Sequence, residues 1–184
     1  LRARLPRNAV ALAYAMLEER LVVWFVTREQ VRMKVVTRSA REVEALVVET
    51  RQACENGTDR ATTLVLLGKL YDRLIRPFSA ELSRRVEADL LLIPEGALFG
   101  VPFAALYDRE SQRFLVEDVA SITVSPSLRI ALDLAERPSF GGNPAALLVD
   151  EPRFARDRRL DRLSDSSEGT AFLQAFSRAH RLAG

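Results

Sequence analysis

The stretch Leu90-Leu91-Leu92-Ile93-Pro94-Glu95-Gly96-Ala97-Leu98-Phe99-Gly100-Val101-Pro102-Phe103-Ala104-Ala105-Leu106 decides how the rest of the chain is read. It opens with four apolar residues in a row, and Pro94 stops them. A strand that is apolar on both sides belongs in a sheet covered on both faces. Gly96 then turns the chain. Gly100 and Pro102 break the apolar run that follows, so Ala97 to Leu106 reads as turns rather than as a regular element. Phe103 is the large side chain that plugs a core, and nothing in the stretch is a base or a nucleophile. A structural element is the expectation.

Upstream, the segments alternate with a period of two. Val10, Leu12, Tyr14 and Met16 are interleaved with Ala11, Ala13 and Ala15. Glu18 and Glu19 form a polar turn, and Leu21 to Thr27 follows, rich in β-branched and aromatic residues. Val31-Arg32-Met33-Lys34-Val35 alternates strictly, which predicts a half-buried strand with its basic side chains in water. Two short connections make this an antiparallel meander over residues 1–38.

The period then becomes helical. Ser39 to Asn56 carries a capping box, Ser39 with Glu42. Its expected buried stripe is Val43, Leu46, Val47, Thr50 and Cys54, and Gly57 is placed for a left-handed cap. A second helix runs from about Asp59 to Arg76 with Leu67, Leu70, Tyr71 and Leu74 inward, ended or kinked by Pro77. Phe78 to Val86 is short enough for a third helix.

Downstream of the opening stretch, Arg113 to Val116 and Ala120 to Val124 read as short strands. Ser125 caps a helix with Pro126 at its first position, running to about Glu136. Pro138 to Pro144 is a loop, Ala145 to Val149 a buried strand, Pro152 to Ser164 polar. Ser167 to Ala179 reads as a last helix with Phe172, Phe176 and Ala179 on one side. Helices interleaved with fully apolar strands give an α/β class, with residues 39–184 forming the α/β portion of one domain over 1–184.

Composition narrows the function. Of the 184 residues, 48% are apolar and 28% charged, enough for a core and a solvated surface and unlike a disordered chain. The net charge is only +2, and the densest basic run, Arg153 to Arg162, is interrupted by Asp157 and Asp161. Nucleic-acid binding needs clustered cations and stacking aromatics, so no nucleic-acid partner is expected. The longest apolar run near the start, Ala9 to Leu17, is too short for a membrane helix, and no membrane partner is expected. One cysteine excludes an internal disulfide and predicts a reducing, cytoplasmic setting. Leu1 in place of an initiator methionine predicts a chain cut from a longer protein.

Cys54 and His180 are the only residues of their kinds, and their order resembles that of papain-like enzymes. Gln52-Ala53-Cys54-Glu55-Asn56 carries no such signature, and an inward thiol is an inert small hydrophobe. His180 reads as a cation near a helix end. Gly68-Lys69 precedes Leu70 rather than Ser or Thr, so it is no phosphate loop, and Gly141-Gly142 lacks dinucleotide spacing. Ser166 and Ser167 are not in a nucleophile elbow. One His and one Cys do not make a zinc site. Asn56-Gly57-Thr58 matches a glycosylation sequon by chance. Glu110, Glu117 and Asp118 read as turn carboxylates. No catalytic, cofactor-binding or metal residue is assigned.

The opening stretch, an apolar strand into Pro-Glu-Gly, then Leu, then Pro-Phe and a final Leu, resembles the signature of the CHAT domain family. Its neighbours are similar too: Phe114-Leu115-Val116-Glu117-Asp118, Val124-Ser125-Pro126-Ser127, the hairpin with Trp24, the pattern Leu70-Tyr71 to Leu74-Ile75-Arg76-Pro77, and Leu147-Leu148-Val149 before Pro152. The resemblance implies a caspase-like α/β/α sandwich, here partial, and in many members a cysteine peptidase. It implies a catalytic His in a His-Gly pair at a strand end and a Cys after the next strand, both further along than Gly184. His180 is followed by Arg181 and does not match. It further implies a downstream catalytic half and upstream tetratricopeptide repeats as partners, a protein as substrate, and no cofactor. The function it implies is that of a catalytically incomplete N-terminal portion, or else of a non-catalytic interaction module.

Overall fold

The computed structural model describes residues 1–17, 19–36, 40–85, 88–136, 145–150 and 178–183. The chain falls into two compact units, Leu1–Glu136 and Arg137–Gly184.

In the first unit the alternating segments are strands: β1 (Ala9–Leu17), β2 (Arg20–Val26) and β3 (Val31–Val36), paired antiparallel as the expected meander. The apolar quartet is β4 (Asp89–Ile93). It lies parallel to β1 and to β7 (Ser121–Val124), giving a mixed sheet ordered β3-β2-β1-β4-β7. Leu90, Leu91 and Leu92 are all buried, as an interior strand requires. A separate ribbon pairs β5 (Tyr107–Asp108) with β6 (Arg113–Phe114), so the strand expected over Arg113 to Val116 ends early, at a 3-10 turn over Leu115–Glu117.

The sheet's two faces follow from the period of two. One face carries Val10, Leu12, Tyr14, Leu21, Val23, Phe25, Leu90 and Leu92. It is packed under α1 (Ala40–Glu55), α2 (Arg60–Leu74), the short α3 (Ser79–Ser83) and the turns after β4. The opposite face, with Ala9, Ala11, Val26 and Leu91, meets Leu5 and the helix α4 (Leu128–Ala135) through Leu128, Ala131 and Leu132. Helical layers on both faces of a sheet make an α/β/α arrangement.

Caps account for the helix limits. Gly57 has φ +65, the left-handed end expected after α1. Asp59 accepts from the Thr62 N–H at 3.0 Å and starts α2. Ser39 lies outside the described residues, and with it the capping box. α4 begins two residues later than expected, because Ser127 and not Ser125 supplies the cap, its Oγ accepting from Ile130 N at 3.1 Å. Ser125 is buried, and its Oγ donates to the Ser127 carbonyl at 3.0 Å.

Two sidedness expectations are corrected. Cys54 is exposed, and Ala53 is the buried residue of the last turn of α1. α1 packs on α2 at its flank, so cover at that turn falls on Ala53 rather than on the stripe's centre. On β3 the basic residues are exposed as expected, but they share the side of Phe25 and Val23, and it is the apolar alternates that lack the expected burial. Phe25 pairs with Arg32 and Val23 with Lys34, while Trp24 pairs with Met33. Arg32 Nη1 donates to Glu81 Oε1 at 2.6 Å, and the Lys34 ammonium sits 4.8 Å from the Phe78 ring centre and donates to the Pro77 carbonyl. Val31, Met33 and Val35 are 50%, 56% and 42% exposed, because described cover on their face, α4, lies over β1 and β4.

The second unit contains β8 (Ala145–Asp150), the strand expected there, paired parallel with β9 (Arg178–Ala183). The helix expected over Ser167 to Ala179 is corrected at its end: Arg178 and Ala179 begin a strand. Residues 167–177 lie outside the described residues, as do the loop Pro138 to Pro144 and the basic run Arg153 to Arg162.

Candidate functional site

Pro94 ends β4 where the parallel ladder ends, and the chain must leave the sheet without stranding the donors of β1, which runs further. Glu95 meets that need: its carboxylate accepts from Met16 N at 2.9 Å. Gly96 has φ +55, and a Cβ there would meet nothing within 4 Å, so glycine is required by conformation and not by space. Two 3-10 turns follow, Gly96–Gly100 and Phe103–Ala105. Leu98, Val101, Phe103 and Leu106 all enter the first-face core, with the Phe103 ring 6.0 Å from that of Tyr14. Leu106 then accepts from Leu115 N at 2.8 Å, tying the motif to the turn before β7. Phe99 is the exception, 54% exposed. The motif is a plug and a clamp, as expected from its residues.

Both conspicuous segments, Pro94 to Leu106 and Ser125 to Ser127, follow the carboxyl ends of parallel strands. That end is where open α/β sheets place their ligands. In these two segments the described polar side chains are occupied by backbone: Glu95 by Met16, Ser125 by Ser127, Ser127 by Ile130.

Charged chemistry gathers elsewhere, in a cleft of about 800 Å3 between the end of α2, α3 and the β5–β6 ribbon. Glu110, Glu117 and Asp118 all line it, so the structure brings together the three carboxylates singled out as turn residues. Each is engaged. Arg76 Nη1 meets Glu110 at 2.9 Å, Arg113 Nε meets Asp118 at 3.0 Å, and Glu117 accepts from Phe114 N at 2.7 Å. Arg76 is the hub, its Nη2 donating to Asp108 at 2.8 Å and to Asp72 at 3.2 Å, with its plane 5.3 Å from the Tyr71 ring centre. Arg109 completes the set on Asp72. Burial pushes the Asp108 carboxyl up, but the Glu110 N–H, the Ser111 hydroxyl and Arg76 outweigh it, and it titrates below its ordinary range. Burial, with the nearby Asp108 charge, pushes the Tyr71 hydroxyl up to about 12. The sequence assigns no site role to Arg76, which it offers only as part of the family pattern, and none to Asp108. The one linear signal is the i,i+4 spacing of Asp72 and Arg76 on either side of a helix end.

Cys54 is an exposed free thiol in the first unit, and His180 lies on β9 of the second, opposite Leu147 in the ladder. Gly68 sits inside α2, where a Cβ would come within 2.8 Å of the Arg109 side chain, so this glycine makes room for Arg109 and holds no phosphate. Gly141-Gly142, Ser166 and Ser167 lie outside the described residues. Among the described residues no group of three His, Cys, Asp or Glu is arranged to hold a metal ion, and no helix is long and apolar enough to cross a membrane.

A family model described as CHAT domain matches residues 64–181. No curated protein matches the sequence. A solved PilM–PilN type IV pilus biogenesis complex is similar at 16% identity over 68% of this chain, with a TM-score of 0.27. This chain covers 41% of that one, and at such a score the likeness carries no argument.

Proposed function

The chain belongs to the CHAT domain family, a caspase-like, peptidase-related family, and from that membership we propose that residues 1–184 are a catalytically incomplete part of a CHAT-type cysteine peptidase. In this reading the chain supplies the fold on which a downstream half, carrying the catalytic His and Cys, is assembled. The whole chain then forms one domain with that half. It works in the cytoplasm on a protein substrate, with tetratricopeptide repeats upstream.

The observation that carries the reading is the fate of the family's own motif. Glu95 is used on β1, Phe103 and Leu106 are core, Ser127 caps α4, and Ser125 holds the Ser127 carbonyl. These polar and aromatic residues of the motif serve the fold. A nucleophilic thiol needs a base beside it. Cys54 is an exposed free thiol on α1, and in this reading a downstream segment is the source of the dyad.

The test is reconstitution. The chain alone, incubated with a peptide library and a thiol-reactive activity probe, is expected to show no turnover. Adding the segment that follows Gly184 in the parent protein is expected to produce turnover and probe labelling on that segment. Turnover by the chain alone that disappears in both Cys54→Ala and His180→Ala would overturn the reading. A second reading is a non-catalytic interaction or regulatory module of the pseudo-peptidase kind. It is favoured if the downstream segment binds this chain and carries neither a His-Gly pair nor a later cysteine.

A further inference from the structure

β3 ends the sheet, and no described hydrogen bond uses the groups along its outer side. An edge of this kind is a template for another strand. The two faces of β3 specify which strand. On one face Val31, Met33 and Val35 stand open beside Trp24, so the neighbouring positions of an added strand must be apolar to continue that face. On the other face Arg32 and Lys34 stand side by side. Arg32 gives one nitrogen to Glu81 and keeps 48% of its side chain exposed, and Lys34 shares its ammonium with a carbonyl and a ring. Opposite charges directly across a ladder stabilise it, and like charges destabilise it.

We propose that β3 is a docking edge for an extended segment of another protein in which acidic and apolar residues alternate. The segment adds as a sixth strand. Its main chain takes the free edge, its carboxylates meet Arg32 and Lys34, and its apolar residues extend the Val31, Met33 and Val35 face. A second copy of this chain is the wrong occupant. Pairing β3 with itself puts Arg32 and Lys34 against one another or against themselves. The proposal is independent of the peptidase-related reading.

The test uses the full 184-residue chain and three short, end-blocked, fluorescent peptides. One alternates valine and glutamate, one alternates valine and lysine, and the third is the glutamate peptide N-methylated at every second amide. Fluorescence anisotropy is expected to show saturable binding of the glutamate peptide, at least tenfold weaker binding of the lysine peptide, and none of the N-methylated one. The double variant Arg32→Glu, Lys34→Glu is expected to reverse the preference between the first two. If that variant does not fold, the N-methyl comparison on the natural chain still decides. Equal binding of the two charged peptides, or binding that survives N-methylation, overturns the proposal. So does no binding up to millimolar peptide, which would make the basic pair only a guard against pairing. A concentration-dependent dimer in sedimentation, abolished by Met33→Arg, overturns it in favour of a second copy.

Discussion

The two faces of the five-stranded sheet are made of similar residues and meet different fates. On the first face every inward position of β2, Leu21, Val23 and Phe25, is fully buried under helices and turns. On the second, Val22 and Val26 are buried and Trp24 only half-buried, and on β3 the described cover gives out. Alternation thus announces that a face is apolar, not that anything lies on it. Burial belongs to pairs of elements, and among the described residues the cover of the second face is one eight-residue helix with Leu5 beside it.

The comparison can be broken at its strongest point. Phe103 is nearly fully buried in the first-face core, and truncating such a ring typically costs about 3–5 kcal/mol. Phe103→Ala is therefore expected to lower the denaturant midpoint steeply with an unchanged slope. An unchanged midpoint would mean that the first face tolerates a hole and that the motif serves recognition.

A smaller effect sharpens the role of the rim of that face. Asp108 is held below its ordinary carboxylate range, so its contribution is complete above the unfolded value near 3.8 and is lost as pH falls through the lower folded value. Asp108→Asn is expected to be less stable than the natural chain at pH 7, with the gap closing in acid. Unfolding curves from pH 7 to pH 2 read this directly, and a gap that does not change with pH would remove the Arg76–Asp108 pair from the account.

The smallest effect is expected on the second face. Met33 is more than half exposed, and surface substitutions of this kind usually stay within about 0.5 kcal/mol. Met33→Ser should leave the unfolding midpoint almost unchanged. A loss near that of Phe103→Ala would show that the second face is covered at β3.

Much of this architecture was legible in the residues. The meander, the interior strand β4, the helices α1 and α2 and the left-handed Gly57 follow from period, capping chemistry and the run of four apolar residues. The errors share a cause. Cys54 sits at the centre of its stripe and is exposed, while Val31, Met33 and Val35 look like the buried side of a strand and are exposed too. In each case periodicity fixes which residues share a side and leaves open which side is covered. The ion-pair hub fails for another reason. Arg76 and Asp108 are 32 positions apart and meet only because the β5–β6 ribbon returns to the end of α2. Local signals do not report such closures. Ser125 misled because Ser-Pro-Ser offers two hydroxyls for one cap, and backbone geometry chooses the second.

Glu95 has one further consequence. β4 pairs with β1 only as far as Ala13 opposite Ile93, and beyond that rung a side chain stands in for main chain. The seam between the two central strands is thus closed at its top by a button rather than by more stitching. Unlike a main-chain carbonyl, a side-chain carboxylate can be swung away by rotation about its own bonds. The seam therefore has a preferred end from which to open, at the corner where the family's motif leaves the sheet.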